Sequence, residues 1–325
     1  MTHSQRAAVL TGPREIAVRD VAIPEPAANE VRVRLQGCGI CASNLSVWEG
    51  RPWFNYPLVA GAPGHEGWGW VDAVGEGVDD LQIGERVAFI SGSAYAQFDL
   101  ASRAALVRLP DELAGLPFPG EPLGCAMNIF ERSDIRAGQR VAIVGAGFLG
   151  VLLTQLATRA GAQVVALSRR QFALDLARRA GALVTLNTED ATQAKTAALN
   201  LTEGRGYDRV IEAAGLQSTL DLASSLTAEY SRLIIAGYHQ DGLRQVNLQE
   251  WNWRGLDVVN AHERDPARYV SGMQRAIAAV TDGRMDPFGL LTHSVALQAL
   301  DDGFEMTHSR PDGFLKAIVQ IEEHA

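Results

Sequence analysis

The sequence predicts an α/β protein of two parts, a doubly wound parallel sheet and a β-rich domain. Three observations carry that expectation. From residue 120 onward, short apolar stretches alternate with helical ones, the βαβ rhythm of a parallel sheet. At 141–150, Val-Ala-Ile-Val-Gly-Ala-Gly-Phe-Leu-Gly runs from a β-favouring strand through Gly145-x-Gly147-x-x-Gly150 into a helical segment. Before residue 110 the chain instead shows short strands separated by turn residues. A length of 325 residues is enough for two domains with sizeable cores.

The expected N-terminal strands are 7–10, 31–35, 67–71, 86–90 and 104–109. Val31, Val33 and Leu35 alternate with Arg32 and Arg34, the pattern of a half-solvated strand. Pro24-Glu-Pro26, Gly75-Glu-Gly77 and Gly84-Glu85 supply the turns.

The stretch at 141–150 has the strand, loop and helix that a dinucleotide fingerprint requires. Gly145 permits the tight turn, Gly147 lets backbone approach a pyrophosphate, and Gly150 lets helix and strand pack closely. The helix start offers unpaired N–H groups and a positive dipole end. Gly145, Gly147, Phe148, Leu149 and Gly150 are therefore the expected phosphate-side contacts. Leu149, Leu152, Leu153, Leu156 and Ala157 recur at helical spacing and should face the sheet.

The next strand, 163–167, ends at Ser168-Arg169-Arg170. An NAD site carries an acid there for the ribose hydroxyls. This chain has a hydroxyl and two guanidinium groups, which suit a phosphate. The expected cofactor is NADP(H) in preference to NAD(H), with Ser168, Arg169 and Arg170 at its phosphate. Further strands are expected at 183–186, 209–212, 232–236 and 258–259. Ala214 and Gly237 follow two of them at the carboxyl end, where such sheets bind ligands. A helix is expected at 269–279 and a closing strand at 315–321, folding back onto the first domain. The domains are thus drawn as 1–119 plus 266–325, and 120–265.

Composition excludes several classes. Hydrophobic content of 47% and charged content of 21% are those of a soluble globular protein. A net charge of −9 disfavours a nucleic-acid partner. No apolar run is long enough to span a membrane, and the N-terminus lacks a signal-peptide core. Three cysteines make no disulfide framework, so the expected compartment is the cytoplasm.

Metal-binding residue types stand in three places: Cys38-Gly-Ile-Cys41-Ala-Ser43-Asn44 after a strand, Gly64-His65-Glu66-Gly67 before one, and Glu121-Pro122-Leu-Gly-Cys125 at the opening of the second domain. Catalytic zinc takes three protein ligands from Cys, His and carboxylate and keeps one position open. Cys38-x-x-Cys41 also has the spacing of a redox pair or of half a zinc knuckle, but a knuckle needs two more soft ligands, and none is near.

The ordered set Gly-Ile-Cys41, Gly64-His65-Glu66, Glu121-Pro122 and Gly145-x-Gly147-x-x-Gly150 resembles the zinc-dependent medium-chain dehydrogenase/reductase family, in its alcohol, polyol and threonine dehydrogenase-like branch. The resemblance covers essentially the whole chain. It implies a Rossmann domain joined to a GroES-like catalytic domain. It implies one catalytic zinc held by Cys41 and His65, with Glu66 able to join or leave the metal's shell and Glu121 as third ligand, directly or through water. Cys125, four residues later, ranks behind Glu121, and Cys38 is expected to pack under the loop. Ser43 keeps the hydroxyl needed for the first proton step. His262 falls where the family holds the nicotinamide end.

The chain departs from the family in two places. No cysteine lies between Cys41 and Cys125, so no structural zinc is expected, and Ser91–Ala96 replaces that lobe. The family's Ser/Thr-Asp pair is Ser43-Asn44, with Ser46 at a proton-relay position. The implied activity is hydride transfer between NADP(H) and a secondary alcohol or polyol, or the matching carbonyl, by a homodimer or homotetramer. Trp48, Trp53, Phe54 and Tyr56 are candidate pocket walls. Two other readings stay open: a zinc-free NADPH-dependent enone or quinone reductase, and a non-catalytic dinucleotide-binding protein.

Overall fold

Val141 to Val144 are at most 1% exposed, and a strand apolar on both faces needs cover on both. In the computed structural model, which describes residues 4–321, Arg140–Val144 lies inside a six-stranded sheet whose strands all pair in parallel. The order across it is Val184–Asn187, Gln163–Ser168, Arg140–Val144, Tyr207–Glu212, Thr227–Ile235, Asp257–Asn260. The chain steps outward from Arg140–Val144 on one side, then returns to that strand's other side. That reversal puts the switch point between Arg140–Val144 and Tyr207–Glu212, where open α/β sheets bind ligands beyond their carboxyl ends. The helix Phe148–Arg159 follows the first strand and buries Val151, Leu152, Leu153, Leu156 and Ala157. This is the expected doubly wound sheet.

The β-rich unit is built around Glu30–Gly39. Val31, Val33 and Leu35 are buried and the arginines between them are half-buried, as the alternation predicts. Its sheet runs His293–Ala296, Ala317–Gln320, Glu30–Gly39, Gly67–Val74, Arg86–Phe89, Leu106–Arg108, with Phe98–Ser102 also on Glu30–Gly39. The closing strand lies antiparallel on Glu30–Gly39, Val319 opposite Cys38. Cys38 is therefore wholly buried inside a strand rather than under a loop. A hairpin of Ser4–Gly12 and Glu15–Ala22 stands beside this sheet in sequence order and forms its own two-stranded sheet.

The described residues pack into two compact units. One is drawn from Met1–Gly124, Asp265–Thr281 and Phe288–Ala325, the other from Cys125–Arg264 and Asp282–Pro287. Apart from a one-residue shift at Asp265, these bounds differ from the sequence-drawn ones at two points. The first turn of the helix Gly120–Ser133 stays with the β-rich unit, because Gly120 and Gly124 press on its helix Pro266–Thr281. A Cβ on Gly120 would lie 3.1 Å from Met273 Sδ, and one on Gly124 2.9 Å from Met273 N. Residues 282–287 go with the parallel-sheet unit, tied by reciprocal hydrogen bonds between the Gln155 amide and the Asp286 backbone. Among the described residues no helix is long and apolar enough to cross a membrane.

Candidate active site

In the β-rich unit, Glu30–Gly39 delivers the chain into a single 3₁₀ turn, Ala42–Asn44, with Cys41 at its N-cap. His65 and Glu66 precede the neighbouring strand Gly67–Val74. Antiparallel pairing of those strands, Cys38 opposite Gly67, brings both segments to one end of the sheet. The ligand atoms of Cys41, His65 and Glu66 all lie within 4.8 Å of one another. A Cβ on Gly39 would sit 1.7 Å from Glu66 Oε2, so any side chain there would push the carboxylate out of place.

Hydrogen bonds preset the donors. His65 Nδ1 lies 3.0 Å from the Pro63 carbonyl. A carbonyl only accepts, so Nδ1 carries a hydrogen and Nε2 is the ring nitrogen left to face a metal. Asn44 Nδ2 donates to the same Pro63 oxygen and to Tyr95 Oη, each at 3.1 Å, and Tyr95 Oη donates to Gly39 O at 3.3 Å. Where the family has an acid, Asn44 thus holds the histidine's backbone partner. Ser43 Oγ donates to Cys41 Sγ at 3.1 Å.

Charge favours a cation at this site. Burial lowers the His65 pKa, but the Cys41 sulfur, Glu121 and Glu66 outweigh it and push it up to about 10. Glu66 is wholly buried. Lys316 Nζ donates to Glu66 Oε1 at 2.7 Å and to Ile40 O at 3.2 Å. The same nitrogen is 2.6 Å from Oε2 but out of line, and Oε2 accepts no hydrogen bond. Burial lowers the Lys316 pKa as well, and the Glu66 charge reverses that and raises it. A cysteine sulfur, an imidazole Nε2 that gives up its proton when a metal binds, and a buried carboxylate oxygen form a donor set that fits zinc.

Glu121 stands in the first turn of Gly120–Ser133 and outside the tight cluster, though its charge acts on His65 and Lys316. Cys125 is four residues on and also outside it. Sequence reasoning missed Lys316, Tyr95 and the Pro63 carbonyl. A lysine inside the apolar run Leu315–Ile321 is a readable signal, since a buried ammonium needs a partner. The segment replacing the family's cysteine lobe places Tyr95 in the core, edge-on to Phe304 at 5.9 Å.

In the parallel-sheet unit, Gly145 has φ +110°, which excludes most side chains. A Cβ on Gly150 would lie 1.9 Å from Gly145 O, whereas one on Gly147 would meet nothing within 4 Å. Gly147 is the N-cap of Phe148–Arg159, so the space before the helix start is open to a ligand and a side chain would fill it. Phe148 and Leu149 begin that helix. Ser168 ends its strand and its Oγ accepts from Arg170 N at 3.4 Å; Arg169 is exposed and Arg170 half-buried. Ala214 and Gly237 follow neighbouring strands. His262 lies beside Tyr238, ring centres 5.8 Å apart, largely exposed; the partial burial it has, with Arg264, lowers its pKa.

Two family descriptions match the chain. Residues 27–128 match the alcohol dehydrogenase GroES-like domain, and residues 149–278 match the zinc-binding dehydrogenase domain. The chain belongs to the zinc-dependent medium-chain dehydrogenase/reductase family. Similar proteins include the sorbitol dehydrogenase of Halalkalibacterium halodurans, 24% identical over 92% of this chain and 94% of the relative. The galactitol 1-phosphate 5-dehydrogenase of Escherichia coli K12 is 29% identical over 70% of this chain and 73% of its own. Among solved structures, a Sinorhizobium meliloti 1021 dehydrogenase bound to NADP superposes with a TM-score of 0.83 at 26% identity, covering 98% of this chain and 99% of that one. Membership in this family gives the cysteine, histidine and glutamate cluster and the glycine turn a common context, one on each unit.

Proposed function

We propose that the protein is a zinc-dependent alcohol dehydrogenase that prefers NADP(H) and acts on a secondary alcohol, polyol or sugar-derived alcohol. The observation that carries this reading is the convergence of Cys41, His65 and Glu66, with His65 Nδ1 committed to a carbonyl. A zinc-free reductase has no use for such a cluster. Cys41 Sγ and His65 Nε2 would hold the metal, with Glu66 or Glu121 completing the set. When bound, zinc supplies Lewis acidity at the substrate oxygen, and the nicotinamide takes or gives the hydride.

The remaining work falls to side chains. Ser43 Oγ points its hydrogen at Cys41 Sγ, which leaves its lone pairs to accept the substrate hydroxyl's hydrogen. Asn44 and Tyr95 keep the Pro63 carbonyl in place, and with it the His65 ring. The helix start at Phe148 holds the pyrophosphate. Ser168, Arg169 and Arg170 receive the phosphate that distinguishes NADP, a reading supported by the similar protein solved with NADP. The sorbitol and galactitol-phosphate enzymes among the relatives support the polyol assignment.

The test is turnover on a panel of polyols and secondary alcohols. His65→Ala is expected to abolish hydride transfer while NADPH still binds. Full activity in that variant contradicts the mechanism. Ser168→Asp combined with Arg169→Ala is expected to shift the ratio of NADP to NAD turnover toward NAD. An unchanged ratio removes the phosphate assignment.

A further inference from the structure

At the carboxyl ends of Tyr207–Glu212 and Thr227–Ile235, a closed ring of polar groups plays no part in the chemistry above. Glu212 is wholly buried. Its Oε1 accepts from Ala214 N at 2.9 Å, Gly215 N at 2.8 Å and Thr219 Oγ1 at 2.7 Å. Its Oε2 accepts from His239 Nε2 at 3.0 Å. Arg244 Nε donates to His239 Nδ1 at 2.9 Å, and Arg244 Nη2 closes the ring on Gly215 O at 2.9 Å while also meeting Asp241. An arginine only donates, so His239 Nδ1 is the acceptor and Nε2 carries the hydrogen given to Glu212.

The ring joins two loops that already touch. A Cβ on Gly237 would lie 2.3 Å from Gly215 N and 2.5 Å from Glu212 Oε2, and one on Gly215 would lie 2.7 Å from Tyr238 O. Gly237 is therefore small because the loops meet there. The first loop also walls the phosphate turn, since a Cβ on Gly145 would lie 3.0 Å from Ala213 C. Besides the ring, the second loop is held at its far end by Gln217, whose amide bonds both the N and the O of Gln245. Residues 237–246 contribute nothing to the apolar cores of this unit. Leu243 is fully exposed and Tyr238 more than half so. Sheet order puts these loops on the opposite side of the glycine turn from Ser168.

We propose that Glu212, His239 and Arg244 form a positioning clasp that presets both loops for the nicotinamide half of the dinucleotide. It rests on the nicotinamide cofactor of the preceding reading. Preordering a loop raises affinity by removing the cost of ordering it on binding. Breaking the clasp therefore weakens the whole cofactor and spares its adenosine half.

The test uses the full chain, titrated with NADPH and with adenosine 2′,5′-bisphosphate, which lacks the nicotinamide. His239→Leu and Arg244→Leu are expected to weaken NADPH about tenfold, with the bisphosphate unchanged within about twofold. His239→Gln retains a donor and an acceptor at its tip and is expected to bind NADPH like the parent chain. The melting temperature is expected to stay within about 4 °C in Arg244→Leu and His239→Gln, and to fall further in His239→Leu, which leaves the buried Glu212 Oε2 without its donor. A parallel loss of both ligands, or no loss of NADPH, overturns the clasp. If the parent chain prefers NADH, the same comparison runs with NADH and ADP. A parent chain that binds neither nicotinamide cofactor overturns the underlying reading instead, so the two failures are distinct.

Discussion

Lys316 and Glu66 show how much one pair of side chains can carry. Both are buried, with side-chain exposures of 7% and 0%. Removing one partner of such a pair leaves a charge that neither water nor protein compensates, at a cost of about 3–5 kcal/mol. Lys316→Met is therefore expected to lower the thermal midpoint of chelator-treated protein sharply. Adding Glu66→Gln is expected to recover most of the loss. Unfolding of Lys316→Met at the parent temperature contradicts the coupling. Cys41 and His65 are legible in the sequence because each sits in a short motif. The apolar run around Lys316 signals a buried lysine but not its partner, since it reaches Glu66 from 250 residues away and only the closing strand's pairing on Glu30–Gly39 joins them. Glu121 is legible as a residue type, while its distance from the cluster depends on where the helix Gly120–Ser133 begins.

The glycines of the fingerprint separate folding from binding at the scale of a turn. Gly150 has no room for a Cβ, and Gly147 has only open space before it. Gly147 also has φ −74°, which any residue adopts. Gly147→Ala is thus expected to keep the melting temperature and to lose affinity for NADPH, because the methyl takes the space a pyrophosphate needs. Gly150→Ala is expected to lose both. Equal NADPH affinity in Gly147→Ala and the parent chain contradicts the placing of phosphates at this turn. The strands of the parallel sheet are readable because they are apolar throughout: Val141 to Ile143 and Val210 to Ile211 are entirely buried. Glu15–Ala22, Phe98–Ser102 and His293–Ala296 are absent from the sequence reading for the converse reason. Exposure along Glu15–Ala22 is mixed, Phe98–Ser102 alternates but puts the polar Asp99 on its buried side, and His293–Ala296 is four residues with no fully buried face, so residue type marks none of them. The turn chemistry of the clasp loops is equally silent, since His239 and Arg244 read as surface residues until Glu212 is seen beneath them.

At the scale of the molecule, the metal-ligand cluster belongs wholly to the β-rich unit and the phosphate turn wholly to the parallel-sheet unit. The chain interleaves them, leaving the first unit after residue 124 and returning to it at 265. The central claim is that the first unit holds one zinc through Cys41 and His65. Elemental analysis of the purified chain after gentle dialysis tests it most directly. The account predicts about one zinc per chain, nearly none in Cys41→Ser, and NADPH binding in both. A parent chain that binds NADPH but carries no zinc, or a Cys41→Ser chain that retains a full complement, would contradict the claim and favour a zinc-free reductase.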